Sequence, residues 1–180
     1  MEVFRVSKKQ IYVAISQTGT ILSHVLRLIT GARYNHASLM LDRAFEDMYS
    51  FGRLNAYNPF WGGYVKESPY YGTLKRFSNT KALVIAFAVD EQTYNDMLFE
   101  ARHIYENKDQ YSYNYWGLLA AGIGKVVESK KHYYCSEYVR YMLKKYGVIG
   151  TELDGIIKPI DFLFLTQGKV IYQGRLKDFK

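Results

Sequence analysis

Among 180 residues there is one cysteine, Cys135, in the stretch His132-Tyr133-Tyr134-Cys135-Ser136-Glu137-Tyr138-Val139. From Tyr138 onward, Tyr138, Val139, Met142, Leu143 and Tyr146 follow the spacing of a helix lying on a core. Gly147 follows as a C-cap. Cys135 therefore falls at or just before the first helical turn. Free backbone N–H groups and the positive end of the macrodipole favour a thiolate there. Such a position is one recognised way to make a cysteine a nucleophile. The competing role is that of a small buried hydrophobe.

A thiolate nucleophile needs a base, and the base needs an orienting partner. The chain offers His24, His36, His103 and His132. His36 opens the alternating stretch Asn35 to Asp42, in which Ala37, Leu39 and Leu41 form the core-facing set and His36, Ser38 and Met40 the other. His132 is three residues from the cysteine, but on an entry loop. His24 and His103 sit on predicted helices without special context. A histidine on a strand opposite a cysteine at a helix N-terminus favours His36 as base. Other chemistries have no motif: HExxH, CxxC, GxxxxGK[ST] and GxGxxG do not occur. One cysteine and scattered histidines give no pattern for zinc, so neither a metal nor a cofactor is expected.

The elements that must carry these residues follow from hydrophobic period. Ile11 to Ile15 and Lys81 to Val89 predict strands, the second central. Thr18-Gly19-Thr20 caps a helix whose stripe runs from Ile21 to Ile29, with His24 at its edge. Met48 to Phe51 predicts a strand antiparallel to the one at His36. Asp90 caps a helix to about Asn107, and Tyr111 to Val127 predicts a buried, irregular helix. Pro159 precedes an apolar stretch, and Lys169 to Tyr172 predicts a last strand. Residues 54–79 are broken by Asn58-Pro59, Gly62-Gly63 and Ser68-Pro69 yet rich in aromatics, including Trp61 and Tyr64. An aromatic irregular segment suits a substrate groove. Trp61 and Tyr64, with Tyr134 beside the cysteine, are the candidate substrate contacts.

The length fits one domain, 1–180, with enough apolar residues for a core. The net charge of +7 is spread along the chain without a basic block, which argues against nucleic acid as partner. A lone cysteine allows no intrachain disulfide. The N-terminus has no apolar signal core, and no run approaches the ~20 apolar residues of a membrane span. A cytoplasmic location is the expectation, with peripheral membrane contact open through the apolar 111–127 segment.

The order Tyr34-Asn35-His36-Ala37-Ser38, a hairpin, then the late Tyr134-Cys135-Ser136-Glu137-Tyr138-Val139 helix resembles the circularly permuted NlpC/P60 group. This is the YiiX-like and lecithin:retinol acyltransferase-like branch of the papain-like fold, in which the histidine strand comes early and the cysteine helix late. Met48-Tyr49-Ser50-Phe51-Gly52-Arg53 and Asn58-Pro59-Phe60 also fit that layout. The resemblance implies an α+β, papain-like domain with a small antiparallel sheet and packed helices. It implies Cys135 as nucleophile, His36 as general base, and the Cys135 N–H in an oxyanion hole. The third position falls on Ser50, or on Asp47 or Glu46 if the register shifts. The expected function is a cysteine hydrolase or acyltransferase acting through a thioester, on a small peptide, amide or lipid ester. The alternative, favoured by the lack of an obvious acidic orienter, is a non-catalytic binding module for a peptide or lipid.

Overall fold

The computed structural model describes residues 8–17, 34–54, 61–122, 124–125 and 131–180. The helix expected over Thr18 to Ile29, with His24, lies outside these residues. In chain order the strands are β1 (Lys8–Gln17), β2 (His36–Met40), β3 (Met48–Arg53), β4 (Gly62–Lys66), β5 (Lys81–Asp90), β6 (Ser112–Tyr113), β7 (His132–Tyr133) and β8 (Gly168–Arg175). The helices are α1 (Gly72–Lys75), α2 (Glu91–Glu106), α3 (Tyr115–Gly122) and α4 (Cys135–Lys145). Pro159–Phe164 forms a 3-10 turn where the sequence shows its late apolar stretch. The fold is mixed α+β.

Six strands form one sheet in the order β4-β3-β2-β1-β5-β8, with antiparallel neighbours throughout. The β1 alternation feeds both faces. Ile11, Val13 and Ile15 join one buried cluster, and Tyr12 and Ala14 a second. The first cluster receives Met97, Ala101 and Ile104 of α2, and Tyr138, Val139, Met142 and Leu143 of α4. The second is closed by Phe45, Leu74, Leu176 and Phe179. This two-sided burial explains the near-continuous apolar run of β5, which has no polar face to show. It also explains why Ser38 and Met40, expected on the open face of β2, are fully buried.

Local chemistry sets the helix ends. Asp90 accepts from the Thr93 amide at 2.7 Å and starts α2 where its sequence predicts. At α4, Glu137 reaches back to accept from the Tyr134 amide at 3.1 Å, and Asn114 Nδ2 donates to the same oxygen at 3.3 Å. Gly147 takes a positive φ of 65° after α4, as its C-cap role requires.

Two predicted segments differ. The 54–79 stretch contains a strand, β4, that its glycines conceal from propensity; its pairing with β3 supplies the order that local sequence lacks. Among the described residues of the 111–127 segment, the helix covers Tyr115–Gly122. It is preceded by β6, which pairs in parallel with β7, Ser112↔His132 and Tyr113↔Tyr133.

Candidate active site

Cys135 is the first residue of α4 and is 5% exposed. Burial alone would raise its pKa. Hydrogen bonding and charge from His36, with smaller help from the Ala37 amide and the Ser136 hydroxyl, reverse this and hold the thiol below its ordinary value. The start of α4 and the start of β2 therefore meet at these two side chains. Ala37 and Leu39 pack on the α4 side in the first cluster, while His36 begins the strand at the sheet's end.

The imidazole lies between a thiol and a carboxylate. His36 Nε2 donates to Glu67, at 2.9 Å from Oε1 and 3.1 Å from Oε2. That leaves Nδ1 as the ring atom for Cys135. Ser38 Oγ donates to Glu67 Oε2 at 2.6 Å, fixing the carboxylate from its other side. Burial disfavours the imidazolium, but Glu67 and the thiol outweigh it, and the His36 pKa is raised well above its ordinary value. A lowered thiol beside a raised imidazole is the electrostatic signature of a thiolate–imidazolium pair.

The sheet makes room for this line-up. β3 pairs with β2 only at Leu39↔Tyr49 and Met40↔Met48. Beyond those pairs the Ala37 carbonyl accepts instead from Ser50 Oγ at 2.7 Å. Gly52 then passes the imidazole closely: a Cβ there would lie 3.6 Å from Glu67 Oε1 and 3.7 Å from His36 Cε1. Glu67 itself is anchored because its amide donates to the Met48 carbonyl at 2.8 Å, just after β4.

The place assigned to Ser50 beside the histidine is thus taken by Glu67, because Ser50 is buried and engaged with the β2 backbone. Asp47 does not serve either: it accepts from Arg102 Nε at 2.9 Å, Arg102 Nη2 at 2.6 Å and the Tyr49 hydroxyl at 2.8 Å. Glu46 is exposed, in a turn whose amides are capped by Asp42. Tyr64 is no groove residue. It is 1% exposed, stacked on Tyr49 and hydrogen bonded to Tyr138 at 2.5 Å between hydroxyls. Alternation along β4 turns it into the core. Trp61 is 57% exposed at the start of that strand, and Tyr134 is buried at the N-cap of α4. His132 hydrogen bonds Ser112 and is exposed, away from the thiol's partners. His103 is exposed against Phe99.

The neighbour that the spacing did not reveal is Tyr113. Pairing of β6 with β7 brings it within electrostatic reach of Cys135. Gly62 admits it: a Cβ there would come within 2.9 Å of Tyr113 Cβ and 2.6 Å of the Tyr115 hydroxyl. The two tyrosine rings are 4.6 Å apart. Burial raises both phenol pKa values, so both remain O–H donors at neutral pH.

Among the described residues, no group of three or more His, Cys, Asp or Glu could hold a metal ion, and no helix is long and apolar enough to cross a membrane. Comparison with protein-family models, curated proteins and solved structures found no match.

Proposed function

We propose that the protein is a cysteine hydrolase or acyltransferase with a Cys135–His36–Glu67 site, on a papain-like fold of the permuted NlpC/P60 type. The observation that carries this reading is the imidazole held between the Cys135 thiol and the Glu67 carboxylate. Glu67 fixes the Nε2–H tautomer, so Nδ1 is the basic nitrogen facing sulfur. His36 takes the thiol proton, and the thiolate attacks an amide or ester carbonyl. The Cys135 N–H, at the first helical position where no intrahelical acceptor exists, stabilises the oxyanion. The imidazolium then protonates the leaving group, and a thioester remains on Cys135. Water or an amine, deprotonated by His36, attacks the thioester; the thiolate leaves and the acyl group is released. The binding-module alternative drew on the lack of an acidic orienter, and Glu67 removes that argument.

The test is alkylation of Cys135 by iodoacetamide across pH, in the wild type and His36→Ala. No other thiol competes. The expected result is rapid labelling that persists well below the ~8.5 of a free cysteine and is lost without His36. Labelling that follows an ordinary thiol titration in both proteins would sink the proposal and favour a binding module.

A further inference from the structure

Glu137 is a buried carboxylate two residues past the nucleophile, and none of the acyl-transfer steps uses it. Its Oε2 accepts twice, from the Tyr134 amide at 3.1 Å and from Asn114 Nδ2 at 3.3 Å. Asn114 is buried too and is fixed by its own backbone. Its amide donates to the Tyr133 carbonyl at 3.0 Å, and its carbonyl accepts from the Leu118 amide at 3.0 Å. Its Oδ1 accepts from the Gly117 amide at 2.8 Å, as an N-cap of α3 does. Gly117 leaves the carboxamide its place, since a Cβ there would overlap it. Asn114 thus holds residue 133 by its main chain and residue 137 by its side chain. It brackets the turn that carries Cys135.

The oxyanion donor is the Cys135 amide, and its direction is set by the plane of the Tyr134–Cys135 peptide. The carbonyl of that peptide accepts from the Tyr138 amide at 3.1 Å, so its N–H points the opposite way, out of the helix start. On its other side Tyr134 is pinned by Glu137 through its own N–H, with φ −97° and ψ 170°. We infer that Glu137 and Asn114 are positioning residues, which act through the backbone of Tyr134 to aim the Cys135 N–H at the oxyanion. A carboxylate in this place repels both the thiolate and the oxyanion, so its service is geometric. This rests on the acyl-enzyme reading.

Two reagents separate the roles of the sole thiol without the natural substrate. p-Nitrophenyl acetate is attacked at its carbonyl: the S–C bond forms, charge collects on the oxygen, and p-nitrophenolate leaves with the C–O electron pair. Iodoacetamide loses iodide in one displacement and forms no oxyanion. The ratio of the acylation to the alkylation rate constant at Cys135 would be measured in the wild type, Glu137→Ala, Glu137→Gln and Asn114→Ala, at a pH where the thiolate is fully formed. Glu137→Ala is expected to lower the ratio about tenfold, a part of the ~10²–10³ that an oxyanion donor is worth. Glu137→Gln keeps one oxygen able to accept both bonds, and is expected to bring the ratio back to within about threefold of the wild type. Asn114→Ala keeps the Tyr134 bond and carries the test should Glu137→Ala fail to fold; a fall of about two- to fivefold is expected. Equal slowing of both reagents in the folded variants overturns the inference, as does a Gln variant no better than Ala. So does wild-type acylation that is no faster, relative to alkylation, than that of a small free thiol, even where fast alkylation upholds the Cys–His pair. Failure of the catalytic reading shows separately, as slow iodoacetamide labelling of the wild type at neutral pH.

Discussion

At the scale of single residues, the site turns on how Glu67 and Ser38 set the imidazole. Glu67→Gln keeps the shape but loses the charge that sustains the imidazolium. We expect kcat/KM to fall by about 10²–10³-fold, with the apparent Cys135 pKa in alkylation rising. Ser38→Ala leaves the carboxylate in place with one donor fewer, and a loss of up to about tenfold is expected. A rise in the Cys135 pKa in neither variant would remove Glu67 from the machinery. The pH–rate profile of the wild type follows from the two shifts. Activity should appear as pH rises through the lowered Cys135 value and decline as it rises through the raised His36 value. Both limbs belong to the coupled pair. Cys135 and His36 were legible in the sequence because local period reports a helix start and a strand face. Glu67 was not, because its role depends on the β3–β4 register, a long-range pairing. One signal was available: Glu67 is the only acidic residue between Asp47 and Asp90. Once the β2–β3 turn is passed, an orienting carboxylate from β3 or β4 had nowhere else to come from.

At the scale of elements, the small β6–β7 pairing decides what stands beside Cys135. Tyr113 enters because Gly62 has no side chain. Gly62→Ala should push the β6 segment off β4 and lower kcat/KM, with a stability cost of about 1–3 kcal/mol from overpacking. Cys135 alkylation by iodoacetamide should change much less than turnover, since the cysteine helix and the histidine strand stay put. Loss of both to the same degree would mean that Gly62 matters only for folding. Local period revealed β5 and α2 nearly residue by residue, because each carries one uninterrupted pattern, and the apolar middle of β1, whose polar ends it left out. It missed β4, whose Gly62-Gly63 start reads as a turn. It started the 111–127 helix too early, because an aromatic and apolar run shows no clear polar face from which to read a period. The second core cluster was hidden for a related reason: Ser38 and Met40 are as buried as their apolar neighbours, so alternation along β2 marks two cores instead of a core and a surface.

For the whole molecule, pH acts on stability through opposed groups. Hydrogen bonds from Arg102 hold Asp47 below its ordinary pKa. Its contribution is present above the unfolded value of about 4 and is lost as pH falls through the lowered folded one. His36 has the reverse sign. Its folded pKa is raised, so its contribution is full below about 6.5 and is lost as pH rises through the folded value. Urea unfolding should therefore show greatest stability between these limits. Asp47→Ala should lose about 1–3 kcal/mol at neutral pH, by stranding the Tyr49 hydroxyl in the core and freeing Arg102. It should also flatten the acid side of the curve. A mutant curve parallel to the wild type on that side would show that Asp47 is not the group responsible.

The three side chains of the site stand at 36, 67 and 135, on a strand at the sheet's centre, just beyond an edge strand and on a separate helix. No short fragment contains them all, and the thiol is added to a growing chain only after the histidine and the carboxylate are already in place. The thiol is chemically ordinary until the sheet has closed and the helix has docked. Its reactivity is therefore a clock for the last stages of folding. Brief pulses of electrophile during refolding would record when tertiary assembly is complete, at one atom and without an added probe.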